Sequence, residues 1–316
     1  MKCLIAIVGP TAVGKSSLSL AIAREFNCEI INGDSRQIYR FMDIGTSKPN
    51  KRDFEAIPHH LFDIVNPDEP YSVALYRNAA LNIISGIQQR ENLPLLVGGS
   101  GLYVWSLLEN WDVPRVPPDT VFRKKLEAEA HEKGTAFVYR MLEEVDPEAA
   151  AKILQGNLRR IIRALEISHV TGRQPSTLQK KGLPICPVLV IGLTAEREAL
   201  YRMIDNRVDD MIEQGLIDEV KMLESRGYQR DLPSMSSIGY KQIYAWLAGE
   251  IGLEEAVRQI KTKTHAFARR QYAWFRLNDS RIHWFTAGET NYRGIIALLY
   301  EFVEKAKRNE IGNEFY

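Results

Sequence analysis

Eight residues near the start of the chain could do chemistry together: Gly9, Pro10, Thr11, Ala12, Val13, Gly14, Lys15 and Ser16. Their spacing fits GxxxxGK[ST], a phosphate-binding loop. The two glycines let the backbone turn its N–H groups inward onto anionic oxygens, and a helix starting at the lysine adds its positive end. Lys15 supplies a point charge, and the Ser16 hydroxyl is of the type that ligates magnesium. An ordinary glycine-rich turn would not also need the Lys-Ser pair. The loop therefore predicts that a di- or triphosphate binds here, without saying what happens to it.

A second group of polar residues follows in Gly33-Asp34-Ser35-Arg36-Gln37-Ile38-Tyr39. If Cys28–Asn32 is a strand, Asp34 lies past its carboxyl end, where open α/β sheets bind ligands. Three roles stay open for its carboxylate: holding magnesium through water, capping a helix, or accepting a proton. Gly45-Thr46-Ser47-Lys48-Pro49 reads as a polar turn that brings Lys48 toward the phosphates. Gly98-Gly99-Ser100-Gly101 is another glycine-rich turn at a strand end, with Ser100 as its polar contact. His59 and His60 pair without any cysteine or HExxH spacing, so a structural role is favoured over a metal site.

These groups need a scaffold, and the apolar pattern supplies one. Cys3–Val8, Cys28–Asn32, Pro58–Ile64, Leu93–Val97 and Pro187–Leu193 read as short strands. Ser17–Ala23, Tyr71–Gln89 and Arg197–Arg226, the last interrupted at Gly215, read as helices. Alternating strands and helices argue for an α/β fold, a P-loop NTPase-like parallel sheet flanked by helices. The 316 residues are 45% hydrophobic and 26% charged with a net charge of +1, which is enough for a large core and one or two domains. No apolar run approaches the roughly 20 residues that span a bilayer. No signal peptide is expected, because the first residues read as a buried strand feeding the phosphate loop. Cys3, Cys28 and Cys186 form no metal spacing and read as reduced thiols of a cytoplasmic protein.

Between two proline-containing hinges, Asp112–Asp119 and Gln179–Pro184, the pattern is helical only: Thr120–Lys133, Ala136–Glu144 and a helix from Asn157. Residues 115–185 are thus predicted to be an inserted all-helical subdomain, with residues 1–114 and 186–316 forming the core. Arg159, Arg160, Arg163, Arg173, Lys180 and Lys181 are bunched with little compensating acid. Phosphate-backbone binding is therefore favoured over a merely solvated face. Arg202 and Arg207 lie near the apolar side of their helix, where either reaches a diphosphate or snorkels. Pro233–Gln242 opens another helix. Thr262–Arg276 interleaves basic and aromatic residues, as a cationic amphipathic helix or a phosphate-facing one with stacking residues. The tail from Lys305 to Tyr316 is expected to fray.

GPTAVGKS, GDSRQIY followed by DIGTSKP, LLVGGSGLY, SSIGYKQ and ARRQYAWFR occur in this order over nearly the whole chain. Together they resemble the bacterial tRNA dimethylallyltransferases. The resemblance implies transfer of a dimethylallyl group from dimethylallyl diphosphate to the N6 amine of the adenosine immediately 3′ of the anticodon. The product is N6-isopentenyladenosine, and the phosphate loop would hold the diphosphate rather than ATP. It implies Asp34 as general base, Ser100 and Arg207 as the other catalytic residues, and Gly9 to Ser16 as the diphosphate cradle, with magnesium on Ser16. It implies tRNA contacts from Asp34, Ser35, Arg36, Gln37, Ser100, Arg123, Arg159, Arg160, Arg163, Gly239, Tyr240, Lys241, Arg269 and Arg270, the insert taking the anticodon stem. His265 stands where that family often has arginine, and the Cys/His module of the eukaryotic relatives is missing. The expected partners are tRNA and dimethylallyl diphosphate, with no membrane, acting on a monomer. A small-molecule P-loop kinase and an isopentenyltransferase for free adenine nucleotides are the alternatives. Neither accounts for the basic insert.

Overall fold

The computed structural model describes residues 2–114, 116–178, 180–288, 291–308 and 310. Arg115 and Gln179 of the expected hinges, and most of the tail from 309 on, lie outside the described residues. The chain forms two compact units, residues 1–108 with 184–316, and residues 109–183.

The first unit begins with β1 (Leu4–Val8), α1 (Lys15–Phe26), β2 (Cys28–Asn32), α2 (Lys51–Ala56), β3 (His59–His60), α3 (Val73–Gln89), β4 (Leu93–Val97) and α4 (Gly101–Leu108). The second holds α5 (Thr120–Lys133), α6 (Thr135–Val145), α7 (Pro147–Lys152), α8 (Leu158–Thr171) and α9 (Pro175–Leu178). The first resumes with β5 (Val188–Thr194), α10 (Arg197–Glu213), α11 (Leu216–Ser225), α12 (Tyr240–Leu247), α13 (Leu253–Trp274), β6 (Ile282–Thr286) and α14 (Tyr292–Lys307).

The strands form a parallel sheet of order β3-β2-β4-β1-β5-β6. All five residues of β1 are buried, as a strand covered on both faces requires. Ile5, Ile7, Leu95, Leu189 and Ile191 centre the core that α1, α10 and α14 cover. Each such side chain is worth about 1.5–3 kcal/mol of burial. The register pairs Ile7 with Val97 and Asn32 with Val97, so β1, β2 and β4 end side by side. The loops that start at Gly9, Gly33 and Gly98 consequently leave the sheet at one edge, and this places the site.

Several elements differ from the sequence reading. Only His59 and His60 of the expected strand 58–64 pair with β2, because Leu61 and Asp63 take φ of 65° and 53° and turn the chain away. β6 was not apparent in the sequence, yet it pairs with β5 over its whole length. The final helix runs through Lys305 to Lys307, since Phe302, Val303 and Ala306 are buried. The segment from Pro233 turns first, and α12 starts only after Gly239 at φ 96°.

The second unit packs Leu126, Val138, Leu142, Ile161 and Leu165 together. Asp119 caps α5, Asp146 caps α7 and Asn157 caps α8. Its limits fall at Glu109 and Leu183 rather than at 115 and 185. Asp112 N–H donates to Lys180 O at 2.9 Å and Gly182 N–H to Glu109 O at 3.0 Å, which draws the entering and leaving segments into this unit.

Candidate active site

Gly9 takes φ 138°, and a Cβ there would lie 2.3 Å from the Leu193 carbonyl of the neighbouring strand, so only glycine fits. Gly14, at φ 94°, then opens α1. Lys15 Nζ donates to the carbonyls of Gly9 (3.1 Å) and Pro10 (2.6 Å), folding back over its own loop. Burial lowers the Lys15 ammonium to about 7, helped by the Arg207 guanidinium and opposed by Asp34. The N–H of Thr11 is committed elsewhere: it donates to Gln271 Oε1 at 2.8 Å. The cradle implied for Gly9 to Ser16 therefore has one backbone donor fewer, and Thr11 contributes its hydroxyl.

Asp34 is fixed from both sides. Its N–H donates to Oδ1 of the fully buried Asn32, and Asn32 Nδ2 donates back to the Asp34 carbonyl. Asp34 Oδ1 accepts the Arg36 N–H at 2.8 Å. This caps a turn, not a helix, because residues 34–39 are not helical. Ser100 Oγ accepts the Ser35 N–H at 2.9 Å and lies 3.2 Å from Ser35 Oγ. Ser100 thus holds the Asp34 turn in place through Ser35.

Arg207, from α10, donates through Nε to Ser47 Oγ (2.8 Å) and through Nη1 to Thr11 Oγ1 (3.3 Å). Burial lowers its pKa, opposed by the nearby Asp34 carboxylate, and a guanidinium stays charged regardless. Thr11, Lys15, Ser16, Asp34, Arg207 and Gln271 are among the residues lining one cleft of about 590 Å³. Met203, Ile204, Val208, Met211 and Phe267 give the same cleft an apolar wall. A cationic end, a carboxylate and an apolar wall in one space suit a substrate with an anionic head, an apolar tail and a proton to lose.

Lys48 does not join the phosphate side. Its Nζ is held by Tyr39 O, Asp43 Oδ1 and Asp63 Oδ1, and its side chain is 2% exposed. The turn around it is fastened by Glu219, whose carboxylate accepts the N–H groups of Asp43, Ile44 and Gly45. Tyr240 donates its hydroxyl to the same carboxylate at 2.6 Å and is fully buried, so it shapes this turn and presents no surface to RNA. Gly239 is buried beside it, and Lys241 is exposed. Gln37 Nε2 is spent on the carbonyls of Thr46 and Ser47. Arg36 lines the cleft and donates to Pro233 O at 3.1 Å. Arg269 is exposed and donates to Tyr201 Oη, and Arg270 lines the cleft. His60 binds Glu29 and His59 binds the Ile57 carbonyl.

In the second unit the basic run divides. Arg159 and Arg160 are exposed on α8. Arg123 and Arg163 turn onto Glu166, a carboxylate with no exposed surface, and Arg123 does so through two 2.7 Å hydrogen bonds. These hydrogen bonds hold the Glu166 carboxyl below its usual range against the opposing effect of burial. Lys181 pairs with Glu109. The bunched run is thus partly compensated: buried acids pair with two of its members, Arg163 and Lys181, and with Arg123 too. Gln271 and Glu219 were missed as site residues. Their signal is a polar side chain on the buried face of an amphipathic helix: Gln271 follows the buried Ala268 by three residues, and Glu219 lies three after the buried Leu216 and four before the buried Leu223.

The family model described as IPP transferase matches residues 37–278, and one described as isopentenyl transferase matches residues 2–62. A tRNA dimethylallyltransferase of a Roseiflexus species is 51% identical over 273 residues, 86% of this chain and 90% of that one. That of Dehalococcoides mccartyi is 46% identical over 300 residues, 95% of this chain and 92% of that one. The crystal structure of the tRNA isopentenylpyrophosphate transferase of Bacillus halodurans superposes with a TM-score of 0.70 at 41% identity, covering 98% of both chains. A eukaryotic dimethylallyltransferase caught acting on tRNA superposes with a TM-score of 0.80 at 30% identity, over 96% of this chain and 80% of that one.

Proposed function

This chain belongs to the IPP transferase family, and from that premise we propose how its cleft prenylates tRNA adenosine. The donor is dimethylallyl diphosphate, and the acceptor is the N6 amine of the adenosine immediately 3′ of the anticodon. The observation that carries the reading is the shared cleft: Lys15 and Arg207 at one end, Asp34 beside them, and an apolar wall between Met203 and Phe267.

In the step itself, the adenosine N6 forms a bond to C1 of the dimethylallyl group as the C1–O bond breaks. The electron pair of that bond leaves on the diphosphate, and the N6 proton passes to the Asp34 carboxylate. An aromatic amine is a weak nucleophile, so a base aimed at its proton lowers the barrier. Lys15, Arg207 and the N–H groups at the start of α1 face the charge that grows on the leaving group. A magnesium ion would be held by the Ser16 hydroxyl, which lines the cleft together with Asp34. Such a sparse set suits an ion that keeps several waters and binds through substrate phosphates. When bound, it would neutralise leaving-group charge. The adenine must leave its stack to enter the cleft.

Arg159 and Arg160 supply sequence-independent contacts to stem phosphates, as exposed cations on one helix do. The reading takes the enzyme as a monomer in the cytoplasm, where its three free thiols stay reduced. No described helix is long and apolar enough to cross a membrane. The deciding assay offers labelled dimethylallyl diphosphate with tRNA, with AMP, or with ATP and small alcohols. Label appearing only in tRNA is expected. Label in AMP, or phosphate transfer to an alcohol, would overturn the assignment.

A further inference from the structure

The amide of Gln271 is inserted between two loops that belong to different strands. Its Oε1 accepts the Thr11 N–H at 2.8 Å, and its Nε2 donates to the Gly99 carbonyl at 3.0 Å. The side chain is 3% exposed. A Cβ on Gly99 would lie 2.2 Å from Gln271 Nε2, so the second glycine turn is shaped around this amide. The helix that carries it is anchored in the turn that follows the residue. Tyr272 Oη lies 2.8 Å from Thr194 Oγ1, and the Trp274 carbonyl accepts the Trp105 indole N–H at 2.9 Å.

We propose that Gln271 is a positioning residue that sets the spacing between the diphosphate half and the base half of the site. On one side, Thr11 continues to Arg207 through its hydroxyl, and Arg207 continues to Ser47. On the other, Gly99 precedes Ser100, which holds Ser35 and with it the Asp34 turn. The amide is the shared member of both chains of contacts. Its span needs an acceptor at one end and a donor at the other, and of the side chains of this length only glutamine, or a protonated glutamate, provides both. A carboxylate would set a lone pair against the Gly99 carbonyl. A group that acts only through spacing matters because a misplacement of about 1 Å costs on the order of 100-fold in rate. The inference rests on the reading of the cleft given above.

The test uses the full chain with Gln271→Met, which keeps length and bulk, and Gln271→Glu. Amide exchange of the peptide containing Thr11 is followed together with inorganic diphosphate binding and single-turnover transfer to tRNA. Gln271→Met should lose protection at Thr11, lose about 10- to 100-fold in rate, and bind inorganic diphosphate within about threefold of wild type, since Lys15 and Arg207 remain. Relative to wild type, Gln271→Glu should recover as pH falls from about 8 to about 6, when its carboxyl can donate again. Unchanged protection at Thr11 and an unchanged rate in Gln271→Met would overturn the proposal. So would a lost rate that Gln271→Glu fails to recover at low pH while folded. If the wild type itself transferred nothing to tRNA, the reading of the cleft would fail, and the exchange experiment would still report on the bridge.

Discussion

Ser35 donates its backbone N–H to the Ser100 hydroxyl over 2.9 Å, across 65 positions of sequence. The turn that carries Asp34 is thereby hung from the loop after β4. A side chain in one glycine-rich loop thus decides where the candidate base stands. Ser100→Ala removes this acceptor, and an N–H left without a partner costs about 1–3 kcal/mol. Transfer should slow by about tenfold while the affinity for inorganic diphosphate holds. Ser100→Thr, which keeps the hydroxyl, should stay close to wild type. Steady-state rates of the two variants decide the matter, and equal loss in both would place the effect on volume instead of the hydrogen bond.

Asp34→Asn keeps an oxygen to accept the Arg36 N–H, so the turn survives and only basicity is lost. Single-turnover transfer should fall by roughly 10²–10⁴-fold. Binding of tRNA and of dimethylallyl diphosphate should change little. Repeating the measurement over a magnesium series separates a base from a metal ligand, because excess metal would restore the rate only in the second case.

Lys15 gives a pH signature. Its folded value of about 7 lies below the ordinary 10.5 because burial disfavours the charged form. Between these values the unfolded chain binds more protons than the folded one. The contribution of Lys15 to stability therefore rises with pH across that window. An anion in the loop favours the ammonium, so diphosphate binding should take up a proton at and above pH 7. Calorimetry in two buffers of different ionisation enthalpy reads this uptake. Lys15→Gln should abolish the part due to the lysine and weaken binding. Equal uptake by the variant and wild type would show that Lys15 is not the group that titrates.

The arginines of the second unit should separate into two kinds. Arg159→Ala and Arg160→Ala should each lower the salt slope of tRNA binding by up to about one unit, with stability unchanged. Glu166→Ala strips the partner from Arg123 and Arg163. Breaking a buried pair costs about 3–5 kcal/mol. The two arginine side chains are 33% and 34% exposed and can turn to water, so a loss nearer 2 kcal/mol is expected. Urea unfolding with limited proteolysis of residues 109–183 measures it. A salt slope that ignores Arg159 and Arg160 would reduce that face to solvation.

Much of this molecule was written locally. The spacing of Gly9, Gly14, Lys15 and Ser16 specifies a glycine turn into a helix with a lysine at its start, because the required φ values and charge come from those residues themselves. The buried run Leu4–Val8 and the periodicity of Val73–Gln89 specify strand and helix for the same reason. Five motifs in order specified the family. Tertiary packing decided what sequence neighbours cannot report, namely which partner a polar group finds when the chain closes. Lys48 follows a turn that pointed toward phosphate, yet Asp43 and Asp63 bury it. Tyr240 sits in a motif implied to touch RNA, yet it is enclosed against Glu219. Arg123 and Arg163 are 40 residues apart and meet only on Glu166. Gln271 is one polar residue among many on a basic helix until Thr11 and Gly99 arrive on either side of its amide. A hydrogen-bonding side chain carries its capacity in the sequence, but the direction in which that capacity is spent depends on contacts that only the folded chain supplies.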